Sequence, residues 1–467
     1  MKVLNTSRLF GMASLTSLLY ALPAWAQDAA APAAAAPAAA AAATAAAPAA
    51  AAAAPAAAAA ASAINSGDTA WMLTSMALVL LMTIPGLGLF YAGMVRKKNV
   101  LATLMQSFAI TCIVTVLWYL IGYSIAFTND DPANPGLIIG SFAHVMLNGI
   151  GANSVSPLAG TIPEYVFSAF QMTFAIITPA LICGAFAERM KFSALIIFMS
   201  LWLLFVYSPL AHWVWGGGFL GAKLGVLDFA GGTVVHINAG VAGLVCALVL
   251  GKRKGFGTVN MAPHNLVLSV IGASLLWGGW FGFNAGSALA ANGLAGAAMM
   301  NTQVATAAAG LAWMFIEWFV VKKPSVLGII SGAVAGLVAV TPASGFVNPT
   351  GAFIIGIVAG IGCYYAAAHV KKMFGYDDSL DAFGVHAVGG IIGALLTGVF
   401  ADAAINPLGA VHSIVTQAEG VAVTIIWTAV ITWVILMITK MLVGLRPSEQ
   451  DEEEGLDLSQ HGESIAE

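Results

Sequence analysis

The chain has 467 residues, of which 60% are hydrophobic and only 8% are charged, and its formal net charge is -4. A soluble domain of this length carries about 25% charged residues, so the composition indicates an integral membrane protein with many spans. It excludes the basic surface of a nucleic-acid-binding protein, and the four cysteines are scattered too widely to predict a disulfide framework or a metal site.

The first 26 residues have the pattern of a secretory signal peptide. Lys2 and Arg8 give a basic start, an apolar run follows, and residues 24–26 supply the small-residue cleavage pattern. Residues 27–68 are rich in alanine and proline. Because recurrent proline interrupts a helix and nothing in this stretch can build a core, we predict a periplasmic tether.

Long apolar runs fill residues 69–444 and predict a membrane domain. A membrane-spanning helix needs about 20 predominantly apolar residues. By that length we predict an all-α integral membrane protein with eleven transmembrane helices, at residues 70–95, 99–127, 163–187, 192–211, 230–250, 264–287, 299–321, 325–342, 350–370, 381–401 and 419–444. The charged residues 445–467 then form a predicted cytoplasmic tail.

Basic residues are concentrated in alternate connections between the predicted spans. Of the fifteen lysines and arginines that follow residue 26, fourteen come after odd-numbered spans, and Lys223 is the exception. The positive-inside rule makes the basic side cytoplasmic. The predicted N-terminus is therefore periplasmic and the C-terminus cytoplasmic, which agrees with the signal peptide.

Two stretches each carry an imidazole in an apolar span. They are DFAGGTVVHINAGVAGL (residues 228–244), with His236, and DAFGVHAVGGIIGA (residues 381–394), with His386. An ionisable group at membrane depth is costly and typically marks a pathway. Since they lie in spans five and ten, we predict an inverted repeat of five plus five spans and a final long helix. At about 1.5 Å per residue, both imidazoles fall well inside the bilayer, approached from opposite sides.

Other interpretations of these residues stay open. Each histidine could simply bond a backbone carbonyl and fill space. A metal site is disfavoured because no third His, Cys or carboxylate lies at ligand spacing beside His236 or His386, and we expect neither metal nor cofactor. Asp228 and Asp381 are expected to cap helices or bond nearby backbone rather than to contact a substrate.

Six segments closely resemble the ammonium transporter family (Amt/Mep/Rh), and its bacterial Amt branch in particular. They are the two histidine stretches, FQMTFAIITPALICGAFAER (170–189), AHWVWGGG (211–218), PHNL (263–266) and GWFGFNAGS (279–287). The tail GLRPSEQDEEEGLDLSQHGE is also similar, so the resemblance runs from about residue 69 to the end. It implies an ammonium channel in the bacterial inner membrane that is not an enzyme and that assembles as a homotrimer with one pore per subunit.

The resemblance also implies roles for single residues. Phe174, Trp215 and Ser287 correspond to an outer site that recruits ammonium through two aromatic faces and a hydroxyl. Phe170, one helical turn before Phe174, would join the same aromatic wall. Phe174 and Phe283 correspond to a stacked phenyl gate below that site.

His236 and His386 correspond to a twin-histidine pair whose neutral imidazoles share a hydrogen bond and relay a proton while ammonia passes. Asp228 corresponds to a residue that supports the recruitment site, and we give Asp381 the same supporting role at the other end. The family implies ammonium or ammonia as substrate, membrane lipid around the trimer and a PII-type signal protein at the cytoplasmic face. The main alternative is an ammonium sensor whose output is that partner, and an intramembrane metalloenzyme is a distant third.

Overall fold

The computed structural model describes residues 64–128 and 138–465, which form a bundle of helices. The predicted signal peptide (1–26) and residues 27–63 of the predicted tether lie outside the described residues. The helices, numbered in chain order, are α1 Ser66–Met94, α2 Lys97–Phe127, α3 Glu164–Phe186, α4 Phe192–Lys223, α5 Gly232–Leu250, α6 Leu266–Gly286, α7 Gly293–Val321, α8 Val326–Val340, α9 Pro349–Phe374, α10 Phe383–Phe400, α11 Ile414–Val443, α12 Glu449–Glu454 and α13 Leu456–His461.

Within the described residues, ten helices are long and apolar enough to cross a membrane. They agree with ten of the eleven predicted spans. The eighth predicted span, 325–342, is helical only over Val326–Val340, which is 15 residues. Since a full crossing takes about 20 residues, the number of eleven spans stays a prediction.

Capping residues explain why several helices begin earlier than predicted. Asn65, Asn292 and Ser413 each accept backbone N–H bonds at the start of α1, α7 and α11. A side-chain cap satisfies donors that the first helical turn leaves unpaired. The three helices therefore begin about five residues before the predicted starts, and the predicted tether ends at α1 rather than at residue 68.

Small residues let α10 approach both α5 and α8 closely in the bundle. A Cβ atom on Gly240 would lie 2.3 Å from the backbone nitrogen of Ala387, and one on Gly393 would lie 2.0 Å from the carbonyl oxygen of Ala339. Contacts below 3 Å do not occur between real side chains, so only glycine fits at these crossings. The glycines that flank the two histidines are thus packing residues.

One end of the bundle, here called the basic face, is held together by ion pairs. Glu188 binds Arg96 and Arg253 at 2.8 and 3.4 Å, and Arg253 also binds Asp377 at 2.9 Å. Arg189, which is fully buried, donates to the carbonyl oxygens of Ala185, Ala187, Gly251 and Asp377. These bonds join the ends of α3 and α5 to the loop before α10.

The C-terminal tail folds back onto the basic face. Asp457 accepts the backbone N–H of Ala102 at 2.7 Å, and Asn99 accepts that of Leu456 at 2.8 Å. Lys254 pairs with Glu449 at 2.5 Å. The tail thereby bonds residues of the first two turns of α2 and contacts the turn that follows α5.

Candidate functional site

A cavity of about 410 Å³ opens at the end of the bundle opposite the basic face. Phe174 of α3, Trp215 of α4, Asp228 before α5 and Ser287 after α6 all line it. Trp215 donates its indole N–H to the carbonyl oxygen of Asp228 at 2.8 Å, which fixes the ring plane. Three of the four residues assigned to recruitment, together with the supporting Asp228, are therefore brought to one cavity from four parts of the chain.

Ser287 is oriented to accept a hydrogen bond from a ligand in this cavity. Its hydroxyl donates to the carbonyl oxygen of Phe283 at 2.8 Å. Because the hydroxyl proton is used in this bond, the Ser287 oxygen can accept a hydrogen bond from an N–H donor. Gln171 lines the same cavity, and its buried side-chain oxygen has no partner among the described residues. The sequence analysis missed Gln171, although it is one residue after Phe170 in the same motif.

Phe170 does not line the cavity as expected. It is fully buried and packs edge-to-face against Phe174, with ring centroids 4.9 Å apart. The one-turn spacing put both rings on one helix face, but only Phe174 reaches the cavity surface. Phe170 therefore supports the ring of Phe174 from behind.

A continuous series of rings leads from the cavity into the bundle. The centroid of Phe174 lies 5.9 Å from Trp215 and 4.3 Å from Phe283, and Phe283 lies 5.9 Å from His236. The rings of His236 and His386 are 5.5 Å apart with planes 15° from parallel. Phe174 and Phe283 are buried, so this structure is closed at the position of the predicted gate.

Both histidines lie in π-helical turns. His236 is in Gly232–Ile237 and His386 is in Phe383–Ala387, and each turn leads into a regular α-helix. Such turns are rare and occur often at functional sites, because they redirect a side chain within a helix. Periodicity in the sequence cannot reveal them, since the apolar residues run through without a break.

The two imidazoles are buried and short of partners. Neither ring nitrogen of His236 has a hydrogen-bond partner among the described residues, nor does Nδ1 of His386. The expected shared hydrogen bond is therefore not formed in this structure, in which the two ring planes are 15° from parallel and the centroids 5.5 Å apart. Trp280 stacks on His236 at 5.3 Å and donates to the hydroxyl of Thr341 at 2.9 Å, so it holds the ring plane.

Asp228 caps the π-helical turn that carries His236. Its carboxylate accepts the backbone N–H groups of Gly231, Gly232, Thr233 and Val234 at 2.6–3.2 Å, and the Thr233 hydroxyl as well. All of its strong acceptor positions are thus used by the protein. This is the arrangement of a cap, and it holds the carboxylate beside the cavity.

The cap of α10 is Asp378, and the expectation that Asp381 caps this helix is wrong. Asp378 accepts the backbone N–H groups of Ala382 and Phe383 at 3.0 and 2.8 Å. Asp381 instead bonds Lys371 and has a positive φ of 61°. Asp228 precedes His236 by eight residues and Asp378 precedes His386 by eight, so equal spacing was the signal that identified the right carboxylate.

A second, smaller cavity lies on the other side of the histidines. It has about 40 Å³ and is lined by His386, Asp381, Tyr91 and Ser331 among others. Tyr91 donates its hydroxyl to the carbonyl oxygen of Leu181 at 3.0 Å. The pair of imidazoles therefore separates two cavities that open towards opposite ends of the bundle.

Among the described residues, no group of three or more His, Cys, Asp or Glu side chains could hold a metal ion. A cavity of about 540 Å³ at the basic face is lined by Arg253, Arg446, Glu449 and Glu452 among others. Several of its charges are paired, as in Arg446 with Glu452 at 2.6 Å. It lies away from the histidines and takes no part in the ring series.

Comparisons with known proteins agree with this geometry. A family model described as Ammonium Transporter Family matches residues 70–465. An ammonium transporter from Aquifex aeolicus is 53% identical over 406 residues, covering 86% of this chain and 93% of the relative. Mep2 from Saccharomyces cerevisiae is 34% identical with a TM-score of 0.76, over 83% of this chain and 89% of that one. A solved structure described as a sensor Amt protein is 28% identical with a TM-score of 0.77, over 85% and 98%. Matched across its membrane helices and its tail, the chain belongs to the ammonium transporter family.

Proposed function

We propose that this protein conducts ammonium from the periplasm to the cytoplasm by recruiting the cation, removing its proton and passing ammonia through the twin-histidine pore. The basic face is the cytoplasmic side, as the positive-inside rule predicts. The observation that carries the proposal is the stacked pair His236 and His386 between two cavities of opposite aspect, with three of its four ring nitrogens lacking a hydrogen-bond partner among the described residues.

The cavity lined by Phe174, Trp215 and Ser287, here called the outer cavity, suits a small cation that can donate hydrogen bonds. The faces of Phe174 and Trp215 attract a cation, by about 0.5–2 kcal/mol each when it is desolvated. The Ser287 oxygen accepts one N–H, and the buried carboxylate of Asp228 adds a favourable field without ligating. Potassium gains the field but cannot donate to Ser287.

Deprotonation follows from the apolar gate. A charged ammonium cannot pass the rings of Phe174 and Phe283 without losing its hydration, which costs many kcal/mol in a low-dielectric setting. Burial favours the neutral form of a titratable cation, so ammonium gives up its proton there. Potassium has no proton to give, and its exclusion follows from the same desolvation cost.

The histidines supply the path for the released proton. Each neutral imidazole can accept a proton on one nitrogen and donate from the other. The stacked rings at 5.5 Å become a relay once a proton or a water turns one ring edge towards its neighbour. Ammonia moves through the same pore and is protonated again in the cytoplasm.

The test is uptake of labelled methylammonium into proteoliposomes with simultaneous electrical recording. His236→Ala and His386→Ala should each lose selective, proton-coupled current, because either half of the relay is insufficient alone. His369→Ala, an exposed histidine on α9, is the matched control and should behave as the unmodified protein. Full ammonium-selective current in the double variant would refute the relay.

A second function, ammonium sensing, is supported by the likeness to a sensor Amt protein and by the tail that lies on the basic face. In this proposal the protein is a homotrimer in the inner membrane and the tail presents a surface to a PII-type signal protein. Flux in liposomes separates the two functions, because a pure sensor carries none.

A further inference from the structure

The small cavity beside His386, here called the inner cavity, is also lined by the carboxylate of Asp381. His386 and Asp381 both line its 40 Å³. A water molecule needs roughly 10–15 Å³ of such volume, so the cavity has room for about two or three waters in a row. Asp381 precedes His386 by five positions and both side chains line this cavity, so waters within it can bridge the imidazole and the carboxylate.

The two ends of this bridge differ in solvent exposure. His386 is only 4% exposed and its Nδ1 has no partner among the described residues. The Asp381 side chain is 36% exposed at the basic face. The cavity is thus bordered by a buried imidazole and by a partly exposed carboxylate that can accept a proton.

Other charges near Asp381 favour a carboxylate that takes up a proton only briefly. Lys371 donates a hydrogen bond to Oδ1 of Asp381 and another to the carbonyl oxygen of Asp378, the latter at 3.2 Å. A proton that arrives on Asp381 is therefore repelled by Lys371 and leaves to the exposed side.

The helix cap leaves Asp381 free for this role. Asp378, not Asp381, holds the first N–H groups of α10, and among the described residues Lys371 is the one side chain that bonds the Asp381 carboxylate. Asp228, the supporting aspartate at the outer end, accepts hydrogen bonds from four backbone N–H groups. Asp381 does not cap a helix in this way.

We propose that Asp381 is the proton acceptor at the cytoplasmic exit of the pore, and this rests on the proposed twin-histidine relay. An imidazolium N–H bond at His386 breaks as an O–H bond forms on the bridging water. That water gives one of its own protons to the Asp381 carboxylate, and Asp381 then releases it to cytoplasmic water. One proton enters and one leaves, so the imidazole and the carboxylate both return to their starting states.

The test measures current and labelled methylammonium uptake together in proteoliposomes that hold Asp381→Asn. Asparagine tolerates the positive φ and still accepts a bond from Lys371, so the fold should persist. Current and uptake should both fall by about tenfold or more, towards the lower end of the range for a positioned proton acceptor, because cytoplasmic water partly substitutes. Formate inside the liposomes should restore current to this variant alone.

Control variants separate proton transfer from anchoring of Lys371. Asp381→Glu keeps a carboxylate and should recover most of the current, and Glu463→Gln, an exposed carboxylate of the tail, should match the unmodified protein. Full current in Asp381→Asn overturns the proposal. So does a loss that neither formate nor glutamate repairs, because that pattern means Asp381 only anchors Lys371.

The outcome can be told apart from failure of the relay itself. If His386→Ala keeps full selective current, the proposed function fails, whatever Asp381 does. If His386→Ala loses the current and Asp381→Asn keeps it, only this inference fails. If Asp381→Asn does not remain monodisperse in detergent, Asp381→Glu and Lys371→Met are measured instead. A loss of current in Lys371→Met that a higher internal pH reverses supports slow proton release from Asp381. A loss of current that does not depend on internal pH overturns the proposal.

Discussion

Replacing Asp228 tests how much the recruitment cavity and the first histidine depend on one buried cap. The Asp228 side chain is held by four backbone N–H groups and one hydroxyl, and the residue is only 6% exposed. Asp228→Ala leaves the N–H groups at the start of α5 without their acceptor. Asp228→Asn keeps one oxygen and turns an N–H₂ group towards the other pair of donors.

The magnitude follows from the number of bonds lost. A hydrogen bond to a charged group contributes about 1.5–3 kcal/mol, and an orphaned buried donor costs about 1–3 kcal/mol. The adjacent cavity admits water to part of the cap, so Asp228→Ala should lower the free energy of unfolding by about 3–5 kcal/mol. Asp228→Asn loses roughly half of the bonds and should lose about 2 kcal/mol.

Thermal unfolding in detergent, followed by tryptophan fluorescence, measures the stability order. Uptake of labelled methylammonium should fall in the same order, with a higher KM, because the carbonyl of Asp228 also orients Trp215. Asp402→Ala is the control, since that carboxylate accepts a single backbone bond in an outer loop, from Ala404 at 2.8 Å. Unchanged stability and uptake in Asp228→Ala, or an asparagine variant as damaged as the alanine one, would refute the reasoning.

Two further predictions concern packing and pH. Gly393→Ala should lower the free energy of unfolding by several kcal/mol, because its Cβ would lie 2.0 Å from the Ala339 carbonyl oxygen. The control Gly278→Ala meets nothing within 4 Å and should leave stability unchanged or slightly higher. Melting temperatures of the two variants test this difference. Burial alone would raise the pKa of Asp377, but its bonds to Arg253 hold that pKa below the ordinary 3.8, so its stabilisation is present above that value and is lost as the pH falls below it. Asp377→Asn should therefore cost about 3–5 kcal/mol at pH 7, and its deficit should shrink below pH 3.8; a deficit that does not change with pH contradicts the pairing.

The positions of the helices were predictable because the bilayer fixes their length. Ten predicted spans coincide with helices to within a few residues, apart from α4, which runs on to Lys223 through a turn at Trp215. The misplaced starts of α7 and α11 trace to Asn292 and Ser413, whose capping role a hydropathy window does not register. The eighth span is shorter than a crossing, since its helix covers only Val326–Val340.

The site was predictable in its residues and less so in its geometry. The motif around Phe174 and the two histidine stretches identified most of the side chains that line the ring series. The π-helical turns, the stacking of Trp280 on His236 and the buried position of Phe170 depend on side-chain directions, which the residue pattern does not fix. The choice of Asp381 over Asp378 was a spacing error that the sequence itself contained the means to avoid.

That spacing explains how two imidazoles from distant parts of the chain become parallel. In each case a buried aspartate caps the backbone, and an imidazole in a π-helical turn follows eight residues later. The caps lie at opposite ends of the bundle, so each one sets the depth of its own histidine without reference to the other.

The two halves have nevertheless diverged in what faces the cavities. At the outer end Asp228 serves as both the cap and the charged wall of the cavity. At the basic face these tasks are divided, since Asp378 is buried as the cap and Asp381 borders the inner cavity beside Lys371. At the outer end, five hydrogen-bond donors hold the Asp228 carboxylate in place. Releasing a proton requires a carboxylate that can gain and lose it, and a cap saturated with N–H donors cannot do so without destabilising its helix. A separate carboxylate at the exit is therefore what proton release from this pore demands.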